Sequence, residues 1–311
     1  TNSTSGDISL VNSGALTITG ISETGGNISV QNTGDVTTTG VVVDQTTGKS
    51  INLTAKSGTM TLNAAVTGTG SDTIELTTNT SGDVVVAAPV STGSGTVTVT
   101  SAGNITFSDF NQAVGTIGGI ATTGDVNLTS NSGAITEAGT GILSGALLTT
   151  QSQTGTVLNN INTVSSFNAT NSTSGDISLV NSGALDVTGI SETGGNISVE
   201  NTGDLTVSGA VTDTLAGNIA LTTVTSGDIA LNSTVSTGSG EIDVTAAGAI
   251  TENVSTGVLS TTGLLKTVSA TGTSLTGANT VSSFHATNST SGDISLVNSG
   301  ALTITGISET G

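Results

Sequence analysis

The segment TNSTSGDISLVNSGALTITGISETG, Thr1 to Gly25, occurs three times in this chain. It returns at Thr170–Gly194 with Asp186 in place of Thr17 and Val187 in place of Ile18, and again, unchanged, at Thr287–Gly311. Recurrence this close marks a repeat architecture, in which each unit buries its apolar face on its neighbours. Large repeats begin at residues 1, 170 and 287, and the third stops in mid-pattern. The sequence therefore reads as one continuous segment, 1–311, of a longer repetitive chain.

A shorter period lies inside the large one. Gly6, Ile8, Leu10, Gly14, Leu16, Gly20 and Ile21 are answered twenty residues later by Gly26, Ile28, Val30, Gly34, Val36, Gly40 and Val41. Ile8 and Leu10 flank polar Ser9, and Leu16 and Ile18 flank Thr17, the period-2 alternation of strands with one buried face. Each unit thus predicts two short strands, a Gly-containing turn between them, and a third apolar spot near Ile21. The first strand of successive units is predicted at Ile8, Ile28, Ile51, Ile74, Val97, Val126, Leu147, Ile177, Ile197, Ile219, Ile242, Leu265 and Ile294, giving about 13 coils of mostly 20–23 residues. Longer steps follow Val97, Leu147 and Leu265, and the last two share VSSF at Val164–Phe167 and Val281–Phe284.

A register kept through insertions asks each unit to lie directly on the last. Tandem β-sandwich domains hold no such register and usually bury a Trp or Tyr, and this chain has neither. The predicted fold class is all-β, a parallel β-solenoid uncapped at both ends. Its inner aliphatic ladder is expected to contain Ile8, Leu10, Leu16, Ile18, Ile28, Val30, Ile177, Leu179, Ile197, Val199, Ile294 and Leu296.

Turns and charges fit the same reading. Ser5-Gly6-Asp7, Ser174-Gly175-Asp176, Ser226-Gly227-Asp228 and Ser291-Gly292-Asp293 precede first strands and predict tight turns with glycine at positive φ. Pro89 is read as closing a strand, where one missing ladder hydrogen bond is tolerated. Asp7, Asn27, Asp176, Asn196 and Asp293 form the polar turn stack before the first strands. Carboxylates on neighbouring coils about 5 Å apart would repel, so an acid facing an amide or hydroxyl favours stacking without any ligand.

Composition excludes the main rivals. Disorder needs low hydrophobicity and high charge density, whereas 33% of these residues are hydrophobic, in strict alternation, and only 8% are charged. The apolar residues are mostly small or β-branched, which favours strands over helices. A net charge of −19 with Lys+Arg 3 argues against nucleic acid and anionic membrane as direct partners. The longest apolar run, Val84 to Val90, is too short to span a bilayer. With Cys 0, no disulfide is available.

Catalytic chemistry is poorly supplied. Enzymes on parallel β-helices that act on polysaccharides need clustered acids, usually a basic residue, and aromatic platforms for sugar rings. Here Arg, Trp and Tyr are missing, and Lys49, Lys56 and Lys266 stand isolated in sequence. His285, the only histidine, is replaced by Asn168 in the sister repeat and reads as an exposed turn residue. No catalytic, cofactor-binding or metal-binding residues are assigned. The GGxGxD calcium motif is missing, and only loose calcium binding to the acidic surface is expected. Thr17-Ile18-Thr19, Thr37-Thr38-Thr39 and Thr59-Met60-Thr61 suggest an ice-ordering column, but Val85 and Ala87 interrupt it.

With the units laid out, SGDISLVNSGALTITG, TGDVNLTSNSGAITEAG (Thr123–Gly139) and LTGANTVSSFHATNSTSGDI (Leu275–Ile294) resemble the repeat shafts of filamentous-haemagglutinin-like large exoproteins of Gram-negative bacteria. The resemblance covers essentially the whole chain. It implies a right-handed parallel β-helix, export across the outer membrane by a partner transporter, and a place outside the cell or on its surface. The expected role is structural and non-catalytic: a stiff shaft or filament serving adhesion, cell–cell contact or extracellular matrix. Its expected partners are neighbouring repeats, copies of itself end to end or side by side, and glycans or other cell surfaces. The alternative is a binding module that recognises a glycan or host protein through side loops at Phe107–Ile120, Asn159–Phe167 and Leu275–Phe284.

Overall fold

The computed structural model describes residues 1–109 and 118–310. The chain is all-β and winds as a right-handed parallel β-helix of about 14 turns. It divides into two compact units, Thr1–Val164 and Ser165–Gly311.

In the first unit every turn of the solenoid contributes a strand to each of three columns. The first column stacks β1 (Ile8–Asn12), β4 (Ile28–Asn32), β7 (Ser50–Ala55), β10 (Thr73–Thr78), β13 (Val97–Ser101), β16 (Val126–Ser130) and part of β18 (Leu143–Ser152). The second stacks β2 (Leu16–Ile18), β5 (Val36–Thr38), β8 (Met60–Leu62), β11 (Val84–Val86), β14 (Ile105–Phe107), β17 (Ile135–Glu137) and the start of β19 (Thr156–Asn171). The third stacks β3 (Ile21–Glu23), β6 (Val42–Asp44), β9 (Val66–Thr67), β12 (Pro89–Ser91), β15 (Gly119–Ala121) and the start of β18. All these pairs are parallel.

Period-2 alternation sets what lies inside. Ile28, Val30, Ile51, Leu53, Ile74 and Leu76 are fully buried, one above the other. Burying each such side chain contributes about 1.5–3 kcal/mol before entropy is counted. Ile18, Ile177, Leu179, Ile197 and Val199 of the expected ladder are buried as well. Ile8, Leu16, Ile294 and Leu296 are half-buried and Leu10 is exposed, because their coils carry a stacked neighbour on one side only.

The second unit holds β20 (Ile177–Asn181), β21 (Leu185–Glu192), β22 (Ile197–Asn201), β23 (Leu205–Val207), β24 (Val211–Asp213), β25 (Ile219–Thr223), β26 (Ile229–Leu231), β27 (Thr234–Ser236), β28 (Ile242–Thr245), β29 (Ile250–Glu252), β30 (Val258–Ser269), β31 (Thr273–Asn288), β32 (Ile294–Asn298) and β33 (Thr303–Glu309). Its first column runs Ile177, Ile197, Ile219, Ile242, Leu265, as expected. The next member is not Ile294. Leu265 pairs with Phe284, and Phe284 with Ile304, while Ile294 sits on Thr273 of the second column. The long step therefore completes one coil and adds a further side, so that what begins the third large repeat stands one column over. The same handover opens the second repeat, where Phe167 pairs with Val187.

VSSF is the device that performs it. Phe167 and Phe284 are buried, and the register slips by one residue just after each of them. Such a slip is a β-bulge, in which one strand carries an extra residue. This corrects the reading of the long steps as side loops. Asn159–Phe167 lies inside β19 and Leu275–Phe284 inside β31, both part of the solenoid wall. Of Phe107–Ile120, residues 110–117 lie outside the described residues.

Four smaller expectations also change. Leu148, not Leu147, pairs with Val126 in the first column. Pro89 opens β12 instead of closing a strand, which suits a residue that has no N–H to donate. Ser226-Gly227-Asp228 precedes a second-column strand, β26. His285 is a half-buried strand residue paired with Lys266 and Gly306, not an exposed turn residue. The glycine argument itself holds: Gly6, Gly175, Gly227 and Gly292 all have positive φ. At Gly227, with φ 109°, a Cβ would also lie 2.3 Å from the carbonyl oxygen of Gly203 on the coil below.

Candidate functional site

The polar residues of this chain collect at the corners where one column gives way to the next. Each corner turn leaves main-chain N–H groups pointing along the stack, and a short polar side chain on the adjoining coil can accept from them. At the corner before the first column, Asn27 donates to Asp7 Oδ1 through both its main-chain N (2.8 Å) and Nδ2 (3.0 Å), and Ser50 N donates to Asn27 Oδ1 at 3.1 Å. In the second unit the same chain of bonds climbs four coils. Asn196 N donates to Asp176 Oδ1, Asn218 N to Asn196 Oδ1 and Glu241 N to Asn218 Oδ1, at 2.8–3.0 Å. The bonds from Asn27, main chain first, and the charge of Lys49 hold the Asp7 carboxyl below the usual carboxylate range, against slight desolvation.

Asp293, the remaining member of the expected stack, does not belong to this corner. Its carbonyl oxygen accepts from Thr273 N at 2.9 Å, which places it at the corner before the second column. The handover at Phe284 moved it there.

That second corner is a polar column that sequence reasoning missed. Thr59 N donates to Asp35 Oδ1, Asn104 N to Asp83 Oδ1 and Ala134 N to Asn104 Oδ1. In the second unit Asp228 N donates to Asp204 Oδ1 at 3.0 Å and Ala249 N to Asp228 Oδ1 at 2.8 Å, so here acid follows acid. The available signal was Gly-Asp placed before second strands, as in Gly34-Asp35, Gly203-Asp204 and Gly227-Asp228. Buried asparagines close the turn between the first and second columns: Asn201 Nδ2 reaches the carbonyls of Gly183, Gly203 and Asp204 at 2.7–3.0 Å, and Asn181 donates to its Oδ1.

The inner side of the corner between the third column and the first is acidic. Glu23, Asp44, Asp72 and Glu192 are fully buried, and Asp213 is nearly so. Asn171 donates its amide to Glu192 Oε1 (2.9 Å) and Oε2 (3.2 Å). Burial nonetheless raises the Glu192 carboxyl to about 7, outweighing bonds from Asn171 and Thr193 and aided by the charges of Asp213 and Asp176. At the corner between the second column and the third, Glu137 is likewise raised to about 7 by burial, against bonds from Asn160 N and Asn162 Nδ2. Its counterpart Glu252 accepts from Gly277 N (2.6 Å) and Asn279 Nδ2 (2.9 Å). These acids were legible in principle. Glu23 follows Ile21, Glu192 follows Ile190 and Asp213 follows Val211 by two residues, so strand parity turns each of them inward.

Such carboxyls face neighbouring coils, not solvent. Among the described residues no three His, Cys, Asp or Glu side chains converge as a metal-ligand set. A shallow groove of about 560 Å³ in the second unit is lined by hydroxyls, among them Thr237, Ser260, Thr262, Thr280 and Ser282, and no titratable group. Lys266 is not isolated: it pairs with Asp243 on the adjoining strand at 2.5 Å, which raises its pKa. The threonine column also differs from the expected register. Thr61, not Thr59, stacks on Thr37 and Thr17, so the third threonine pair is out of line with the first two.

No family model matches the chain, and comparisons with curated proteins and with solved structures give no match. Fold and corners together define a repeat protein of the parallel β-solenoid class.

Proposed function

We propose that this chain is a structural, non-catalytic segment of a giant secreted or cell-surface fibrous protein, working as a stiff shaft or filament in adhesion, cell–cell contact or extracellular matrix. One observation supports this most. The groups that would serve binding or catalysis elsewhere, corner carboxylates and amides, are hydrogen-bonded to the coil above or below, from Asp7 and Asn27 through Asp176, Asn196 and Asn218. A side chain engaged in that way stiffens the stack. The likeness to filamentous-haemagglutinin-like shafts belongs to the same proposal. So do outer-membrane export, a surface location, and partners drawn from neighbouring repeats, further copies, glycans or other cell surfaces. Recognition through side loops is the weaker reading, because two of the three long steps are wall strands.

Averaged electron micrographs of the purified chain, with binding tested on a glycan array and turnover on saccharides, test the proposal. Straight particles with an axial repeat of about 4.8 Å and no saccharide turnover are expected. Compact globules, or turnover of any glycan, would overturn it.

A further inference from the structure

In the first unit the position just before the inward residue that opens the third column is apolar or glycine on successive coils. It reads Gly20, Val41, Ala65, Pro89, Gly119 and Ile142, one above the other. Asn160 Nδ2 bonds to the carbonyl of Gly141, and Asn162 Oδ1 accepts from Leu143 N, which sets Ile161 over Ile142 on the next coil. Val41 is 51% exposed, Ile142 46% and Ile161 64%, and Pro89 is exposed as well. Single exposed aliphatic residues are ordinary, but a contiguous row of them marks a contact surface. The row has a gap at Gly119, where a Cβ would lie 2.3 Å from the carbonyl oxygen of Ile142. There a groove of about 160 Å³ opens between Pro89 and Ile142, over Val90 and Ile120, lined almost wholly by apolar atoms. A cavity of about this size holds a benzene-sized group, and so one isoleucine side chain.

The charge of the chain lies elsewhere. Of its net −19, the stacked carboxyls Asp7, Asp35, Asp83 and Asp125 stand at the corners before the first and second columns. The outward residues of the third column, Ser22, Val43, Thr67, Ser91, Ala121 and Ser144, carry no charge, and its acids Glu23 and Asp44 are buried. Asp109 and Glu137, on the ridge's own corner, are held by Thr140 and by Asn160 and Asn162. Two copies of so acidic a chain repel wherever corner meets corner, and least where ridge meets ridge. We propose that this ridge is where two copies of the chain meet side by side, in a two-fold contact that seats Ile142 of each copy in the groove at Gly119 of the other. Ile142 and the groove are one coil apart, so an axis between them satisfies both at once. The proposal rests on the reading of the chain as a shaft that meets further copies, and adds which side does so. At about 4.8 Å per coil the ridge is about 29 Å long. Such a strip covers less than the roughly 800 Å² a side of a stable interface, so one pair of chains associates weakly and reversibly. In the second unit the same position reads Gly189, Ala210, Thr234 and Val258, without a comparable row.

The test is sedimentation of the whole 311-residue chain from about 1 µM to about 1 mM. Ile142→Glu places a charge on the ridge, and Thr129→Glu places the same charge on the outward face of the first column. Native protein is expected to associate reversibly, and more strongly as salt screens its charge. Ile142→Glu should weaken association at least about tenfold, and Thr129→Glu should leave it near the native value. If Ile142→Glu does not fold, Val41→Glu charges the same row on another coil. The chain has no cysteine, so Ser144→Cys beside the groove supplies a single thiol. Oxidation of that variant should give a linked dimer, and oxidation of Thr129→Cys should not. A native chain that stays monomeric throughout, or association unchanged in folded Ile142→Glu, would overturn the proposal. Straight particles in micrographs of the same protein would then leave the shaft reading standing. Loss of association in Thr129→Glu alone would move the contact to the first column and overturn it as well.

Discussion

Residues 1–25 and 170–194 are almost the same sequence, yet their side chains live in different surroundings. Leu179 is fully buried, while its counterpart Leu10 is 40% exposed. Asn2 and its equivalent Asn171 both donate to the carbonyls of their own turn, and Asn171 donates to Glu192 as well. The difference lies in what is stacked: the strand holding Leu10 pairs with one neighbouring strand only. In a solenoid a coil's stability is shared with its nearest neighbours, so identical segments need not be equally stable.

The sharpest way to break the comparison is to place a charge in both copies. Ile177→Asp should cost more than about 5 kcal/mol, because it buries an unpaired carboxylate. Ile8→Asp in the half-buried copy should cost far less. Urea unfolding with limited proteolysis would show the first chain cut early and the second nearly as resistant as the native protein. Equal effects would mean that the segment, not its neighbours, sets stability.

Phe284→Ala comes next, at about 3–5 kcal/mol for loss of a buried ring. Its proteolytic cuts should cluster around β30, β31 and β33, where the column handover depends on that side chain. Cuts spread evenly along the chain would show that the bulge holds without it.

Glu192→Gln tests the corner through pH. The folded carboxyl titrates near 7, above its ordinary 4.5. Its contribution is therefore fully present below the unfolded value and lost as pH rises through about 7. Native protein should lose stability between pH 5 and 8, and the Gln variant should lose less over that range, measured by unfolding midpoints. A variant with the native slope would assign the titration elsewhere, Glu137 being the next candidate.

The smallest effect is expected where the copies differ in sequence. Asp186 stands where Thr17 and Thr303 stand in the sister copies, and its Oδ1 is buried without a partner. Asp186→Thr should raise stability by about 1 kcal/mol, the order of one unsatisfied polar atom. A loss on this substitution would show that the acid is engaged in the folded protein.

Much of the fold was legible because burial follows a parity that the residues display. Ile8, Ile28 and Ile51 lie twenty-odd positions apart and do stack, and Gly6, Gly175 and Gly227 do take positive φ. The handover was not legible from spacing alone. All three columns use the same alternation of Val, Ile and Leu with Ser and Thr, so nothing in Ile294 itself says which column it will join. The pairing of Phe284 with Ile304, and of Thr273 with Ile294, is what shows it. The buried acids escaped for a different reason. Glu23 and Asp44 resemble solvated turn residues by type, and only their two-residue distance from Ile21 and Val42 gives them away.

Within the second unit the handover also gives equivalent positions of successive repeats different columns. Asn168 and His285 are one repeat apart in sequence, yet Asn168 pairs with Gly189 at the end of a second-column strand, whereas His285 sits on Lys266 in the first column. Two residues that sequence alone would call equivalent are thus displayed on different sides, and a substitution made at both would alter two separate places on the surface.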